Sequence, residues 1–244
     1  ADTLETQVLV PIQDPVEMGL SLTELLTRLG ETSFYPPLFS RAFGSTAITN
    51  ERIARALAQF VRALVSFRSP YDEARADGPA GSLPFERTLG PLATLGHRLF
   101  VTVPGTGRRG AGCSQCHVGE AQISLSPRNI GLDAATTGDL GAGDGRFKAP
   151  SLRNVAVRGP YMHDGRFETL HDVIDHYDGK VVANPFLDMT LLNRRLAVTG
   201  SPVTPTRLEL SDVEKDSLVA FLETLTDRTF LTDPRFSNPF LTAE

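Results

Sequence analysis

Apolar residues recur at helical spacing along much of this chain, and no stretch shows the alternation of a strand. The clearest pattern predicts a helix over 49–67, where Ile53, Leu57, Phe60, Val61, Leu64 and Val65 share one face. Thr49 suits its N-cap, and Ile48 and Ile53 suit a hydrophobic staple across it. Capping-box signatures at Ser21–Glu24 and Ser211–Glu214 start two more helices, and Gly30 stops the first of these. The second carries a buried stripe of Leu218, Phe221, Leu222 and Leu225. Short helices are expected from after Pro37 to near Gly44, from Pro91 to Phe100, and from Glu168 to Tyr177. Pro11 and Pro15 break up the first twenty residues, and the glycine-rich span 104–150 reads as loop. A Gly/Ala/Pro-rich stretch after Ser69-Pro-Tyr-Asp72 ends near Pro84 and suggests two domains, 1–84 and 85–244.

The fold class is therefore all-α, and composition adds limits rather than a function. The 244 residues are 41% hydrophobic and 22% charged, with net charge -5. That is globular, and without a basic block it offers nothing to nucleic acid. No apolar run nears the roughly 18 residues of a membrane span. Ala1 in place of Met leads to the expectation that a leader or longer segment was removed. The glycines of 138–145 are not followed by Gly-Lys-Ser/Thr and make no phosphate loop.

The two cysteines stand in Cys113-Ser-Gln-Cys116-His117. Thiols at this spacing can bond to both vinyl groups of haem, and the adjacent imidazole can reach the iron, which is the c-type attachment signal. A redox dithiol would sit in strand–helix alternation, and a zinc site needs a second ligand pair; the sequence has neither. An electron-transfer haem takes a second axial ligand. Met162, His163, His171, His176, Tyr177 and Met189 are the candidates. Leu170, Val173, Ile174 and Tyr177 share the apolar face of their helix, whereas His176 lies about 100° away, beside Asp172 on a polar face.

Further motifs carry a resemblance. Phe147-Lys-Ala-Pro-Ser-Leu-Arg-Asn154 is followed by Pro160-Tyr-Met-His-Asp-Gly165, with Pro15-Val-Glu-Met-Gly19 and Ser69-Pro-Tyr-Asp72 upstream. With the Cys113–His117 motif, they resemble the bacterial dihaem cytochrome c peroxidases and MauG-type proteins from Gln7 to about Leu225. The resemblance implies a cytochrome c-like haem domain, plus an N-terminal helical segment belonging to a second haem domain. Only the electron-transfer haem c has its motif here. A second haem, the peroxidatic one, is expected on a missing segment, carried by a second chain or fragment. The family tryptophan that lies between the haems would fall just before Ala1, which fits the absence of Trp in this chain.

The same resemblance assigns Gln7, Pro11 and Glu17 to the peroxide side of the first haem. A carboxyl group there can shuttle a proton, and an amide can hold peroxide by hydrogen bonds. It places Tyr177 where MauG-type proteins have their tyrosine and the peroxidases a methionine. It also makes His163 a candidate near the haem, and gives Ca2+ the backbone carbonyls of Arg158 and Pro160. The implied function is the electron-transfer part of a peroxide-reducing dihaem oxidoreductase in the periplasm. Its partners would be an electron donor, a small cytochrome or copper protein, or a protein substrate that it oxidises. The competing readings are a monohaem electron carrier without catalysis, and a peroxidase relic that only binds a partner.

Overall fold

Side-chain caps set the helix starts in the computed structural model, which describes residues 1–136, 138–193 and 204–240. The chain divides into two compact units, 1–65 and 66–244.

The first unit holds α1 (Leu4–Gln7), α2 (Val10–Gln13), α3 (Leu22–Gly30), α4 (Tyr35–Phe43) and α5 (Asn50–Ala63). Ser21 caps α3 through the Glu24 amide at 3.1 Å. The reciprocal half of the expected capping box is missing, because the Glu24 carboxylate accepts from Arg28 at 2.8 Å instead. Helix α4 begins before Pro37, since proline suits the first turn, and ends at left-handed Gly44. Thr49 caps α5 as expected, but the helix stops at Ala63 rather than near Phe67. Its buried face is Ile53, Ala54 and Ala58, while Leu57, Val61, Leu64 and Val65 of the expected stripe stay exposed. Arg62 of α5 clamps Glu5 of α1 with two bonds, of 2.7 and 3.1 Å.

The second unit holds α6 (Pro70–Asp77), α7 (Leu83–Leu89), α8 (Pro91–Val101), α9 (Leu170–Asp175), α10 (Asp212–Glu223) and α11 (Arg228–Leu231). A short antiparallel ladder pairs β1 (Pro127–Arg128) with β2 (Phe147–Lys148). The expected break near residue 84 falls inside this unit. Tyr71, Ala74 and Phe85 are buried in its core, and the Tyr71 amide donates to the Thr224 carbonyl at 3.1 Å. Phe221 lies at the centre of that core, packed against Tyr71, His97 and Phe100 at ring distances of 5.7, 5.2 and 5.1 Å. Helices α8 and α10 cross at Gly96, directly against the Ser217 backbone. The full capping box at Ser211–Glu214 starts α10, and a second at Thr169–Asp172 starts α9. Leu170 and Ile174 point α9 into the core. Beyond α9 the chain widens into a π-type turn over His176–Lys180.

Candidate haem-binding site

Cys113–Gln115 form a single 3₁₀ turn after left-handed Gly112. A side chain at Gly112 would run into Gln115 and Pro104, so glycine is needed to bring the chain into the turn. The amides of Cys116 and His117 both donate to the Cys113 carbonyl, at 3.1 and 3.0 Å. One turn thus fixes both thiols and the imidazole relative to each other. The Nδ1 atom of His117 lies 3.2 Å from the Gln122 carbonyl. Burial lowers the pKa of this ring, although the Gln122 and Pro150 carbonyls oppose it. A neutral imidazole anchored through one nitrogen is the form that ligates a metal through the other.

The thiols are free and half-buried. Burial pushes Cys113 up to about 12 and raises Cys116 as well, with the Arg128 charge opposing at Cys116. A catalytic dithiol needs a depressed pKa, so this pair is poorly suited to redox exchange. Among the described residues, no group of three His, Cys, Asp or Glu could hold a metal ion. Two unreactive thiols and a neutral imidazole on one turn fit covalently attached haem better than either alternative.

The candidates for the opposite axial position separate by location. His171 is exposed and pairs with Asp216 at 3.0 Å. Met189 is 67% exposed. Met162 is half-buried in a left-handed conformation. His176 is buried rather than set on a polar face. The π-type turn carries its ring inward, where Nε2 meets the Ile130 carbonyl at 3.0 Å and the ring packs edge-on to Tyr177 at 5.1 Å. Tyr177 is half-buried in the π-type turn, beside the His176 ring. Burial raises its pKa, and the charges of Cys116 and Cys113 raise it further.

Residues 1–79 match the family described as di-haem cytochrome c peroxidase. The methylamine utilization protein MauG of Methylorubrum extorquens is 37% identical over 236 residues, covering 92% of this chain and 58% of its own length. MauG of Methylophilus methylotrophus is 33% identical over 235 residues, covering 92% and 62%. The chain belongs to the dihaem cytochrome c peroxidase and MauG family. It spans about six tenths of the length of these two relatives. The crystal structure of a MauG-like protein associated with microbial copper homeostasis superposes with a TM-score of 0.70 at 29% identity. That match covers 98% of this chain and 73% of the other. The all-α, cytochrome c-like fold expected from the sequence is therefore the fold of this family, whose cofactor is haem c.

The other residues assigned by family resemblance are scattered. Gln7 ends α1 and Glu17 lies in the turn after α2, both exposed. Pro11 and that turn are joined by the Met18 amide, which donates to the Pro11 carbonyl at 3.2 Å. His163 is exposed, stacked on Phe147 at 3.7 Å, and faces a cavity of about 300 Å³ shared with Asp133, Asp164 and Arg166. Among the described residues, no hydrogen bond or ring contact joins it to the thiols, His117 or Tyr177. Arg158 and Pro160 occupy an exposed turn, with the Arg158 guanidinium bonded to the Ser151 carbonyl at 2.6 Å.

Sequence reasoning missed Gln122, Arg128, Asp188 and Thr190. Gln122 supplies the carbonyl under His117, and its own Oε1 is buried without a partner. Thr190 Oγ1 lies 3.8 Å from Cys116 Sγ. No local pattern announces a contact across more than 70 positions.

Proposed function

We propose that this chain supplies the electron-transfer half of a peroxide-using dihaem oxidoreductase of MauG type. Cys113 and Cys116 would carry the haem as thioethers, and His117 and Tyr177 would be the protein ligands of its iron. The single turn that holds Cys113, Cys116 and His117 together, with the His117 ring anchored on the Gln122 carbonyl, carries this reading. When bound, haem iron supplies one-electron chemistry, and a phenolate ligand favours its oxidised states. The chain's own part is to hold the His117 ring neutral and oriented, and to keep water from the opposite face with Tyr177.

In this reading a second haem, outside this sequence, is where peroxide reacts. Glu17 moves the proton between the peroxide oxygens, Gln7 holds peroxide or water, and Pro11 shapes the turn between them. The exposed apolar residues on and just after α5, Leu57, Val61, Leu64 and Val65, support a partner on the first unit. Ca2+ is taken by the backbone carbonyls of Arg158 and Pro160. The setting is the periplasm, and electrons pass to or from a small donor protein or an oxidised protein substrate.

Intact mass, haem count and peroxide turnover on native material test this. Two haems per working unit are expected, with turnover falling by about 10²–10⁴ in Glu17→Gln. A single haem and indifference to peroxide would leave a monohaem electron carrier.

A further inference from the structure

Arg128 is held half-buried at the end of β1, and its neighbourhood is built from one distant segment. Its Nη1 donates to Asp188 Oδ2 at 2.8 Å. The other oxygen of Asp188 accepts from the Thr190 amide at 2.9 Å and the Thr190 hydroxyl at 2.6 Å. The Asp188 amide in turn donates to the Asn129 carbonyl at 2.9 Å, which locks the two segments in register. Burial acts to raise the Asp188 pKa, but the bonds from Thr190 and Arg128 prevail and leave it low, so the carboxylate is ionised.

This arrangement satisfies Asp188 and leaves Arg128 incomplete. A guanidinium has five N–H donors in a fixed plane. Asp188 takes the Nη1 end. The opposite edge, Nε with Nη2, is the edge that meets a carboxylate through two parallel bonds. Nε is buried and has no partner among the described residues. The site lies beside the thiol turn, since Thr190 reaches Cys116, and the Arg128 charge acts on both Cys116 and His117. A half-buried cation whose Nε lacks a partner, next to an attachment site for a cofactor that bears two carboxylates, calls for one of those carboxylates.

We propose that the Nε–Nη2 edge of Arg128 clamps a propionate of the haem, and that Asp188 and Thr190 hold the guanidinium in place for it. This rests on haem being attached at Cys113 and Cys116. Arg128 is then a binding residue for the cofactor's rim, and its positive charge favours the reduced haem.

The test uses haem-loaded wild type, Arg128→Leu, Arg128→Lys and Asp188→Asn. Resonance Raman reads the propionate bending band, and redox titration reads the potential. In Arg128→Leu the band shifts and the potential falls. In Arg128→Lys the band shifts while the potential stays closer to wild type, because charge is kept and the fork is lost. In Asp188→Asn the potential rises. If Arg128→Leu does not mature, Arg128→Lys decides by its band alone. An unshifted band in the arginine variants overturns the clamp, even if the potential falls, because Arg128 is then only a nearby charge. A colourless wild type would remove the haem assignment itself, whereas a coloured wild type with unshifted bands removes the clamp alone.

Discussion

Gly96 of α8 faces the Ser217 carbonyl of α10 so closely that a Cβ at position 96 would overlap it. Ser217 is fully buried, so the carbonyl has no free space to move into. Alanine in a helix gains up to about 1 kcal/mol over glycine from propensity. Here the obstacle is backbone, and the helices must separate to admit a methyl group. Gly96→Ala is expected to lose about 2 kcal/mol or more net. At roughly 2–4 °C per kcal/mol for a unit of this size, a thermal melt will show the fall. An unchanged or raised melting temperature would mean that the crossing is looser than described.

Arg153 ties the loop after the thiol turn to α6. Its side chain is 7% exposed, pairs with Asp72 at 2.5 Å, donates to the Glu120 carbonyl and lies over the Phe67 ring at 4.1 Å. Removing only the carboxylate charge leaves a buried cation without its counter-ion. Asp72→Asn should therefore cost about 3–5 kcal/mol in denaturant unfolding. Arg153→Met with Asp72→Asn should cost less than Asp72→Asn alone, because the unpaired charge is gone. A loss below about 1 kcal/mol for the single variant, the range of surface pairs, would contradict the buried pairing.

Acid should weaken the second unit in a defined window. The Arg109 guanidinium holds Glu214 down to about 2, from an ordinary 4.5. A depressed carboxylate pKa contributes stability that is complete above the unfolded value and lost as pH falls through the folded one. Stability should be level above roughly pH 5 and decline from about pH 4.5 toward pH 2. Asp72 adds a decline of the same sign: burial raises its pKa, but bonds from Arg153 and Ser69 prevail and leave it low. Melts across this range should give a shallower decline in Arg109→Met. An identical decline would mean that the pair does not set the profile.

The thiols give a chemical prediction for the chain before haem is attached. With Cys113 near 12 against an ordinary 9.0, its thiolate population is about a thousandfold lower. Alkylation of Cys113 near neutral pH should be slower than that of a free thiol by about this factor. Labelling at the free-thiol rate would indicate an open, reactive pair.

The sequence was most informative where chemistry is local. The Ser211–Glu214 capping box, the Gly44 helix stop and the Leu170/Ile174 face each follow from residues within two turns of one another. Tyr177 stands on that face by sequence spacing, but it lies past the end of α9, inside the π-type turn, half-buried. The Cys113–His117 motif was legible because its residues lie within one turn of each other. The early end of α5 was not legible, since its apolar pattern runs on through Val65 while the backbone leaves the helical conformation at Leu64. His176 was misplaced because an ideal helix puts it on a polar face, and the π-type turn rotates it inward. Arg128 and Asp188 meet across 60 positions, and no periodicity encodes that contact.

The most direct test of the account is the ferric optical and EPR spectrum of haem-loaded Tyr177→Phe beside wild type, with Met189→Leu and His171→Ala as controls. Phenylalanine keeps the ring and its packing but removes the oxygen. The account predicts that Tyr177→Phe opens the axial site and moves the ferric haem from low spin to high spin, while both controls match wild type. A low-spin spectrum unchanged in Tyr177→Phe would contradict it.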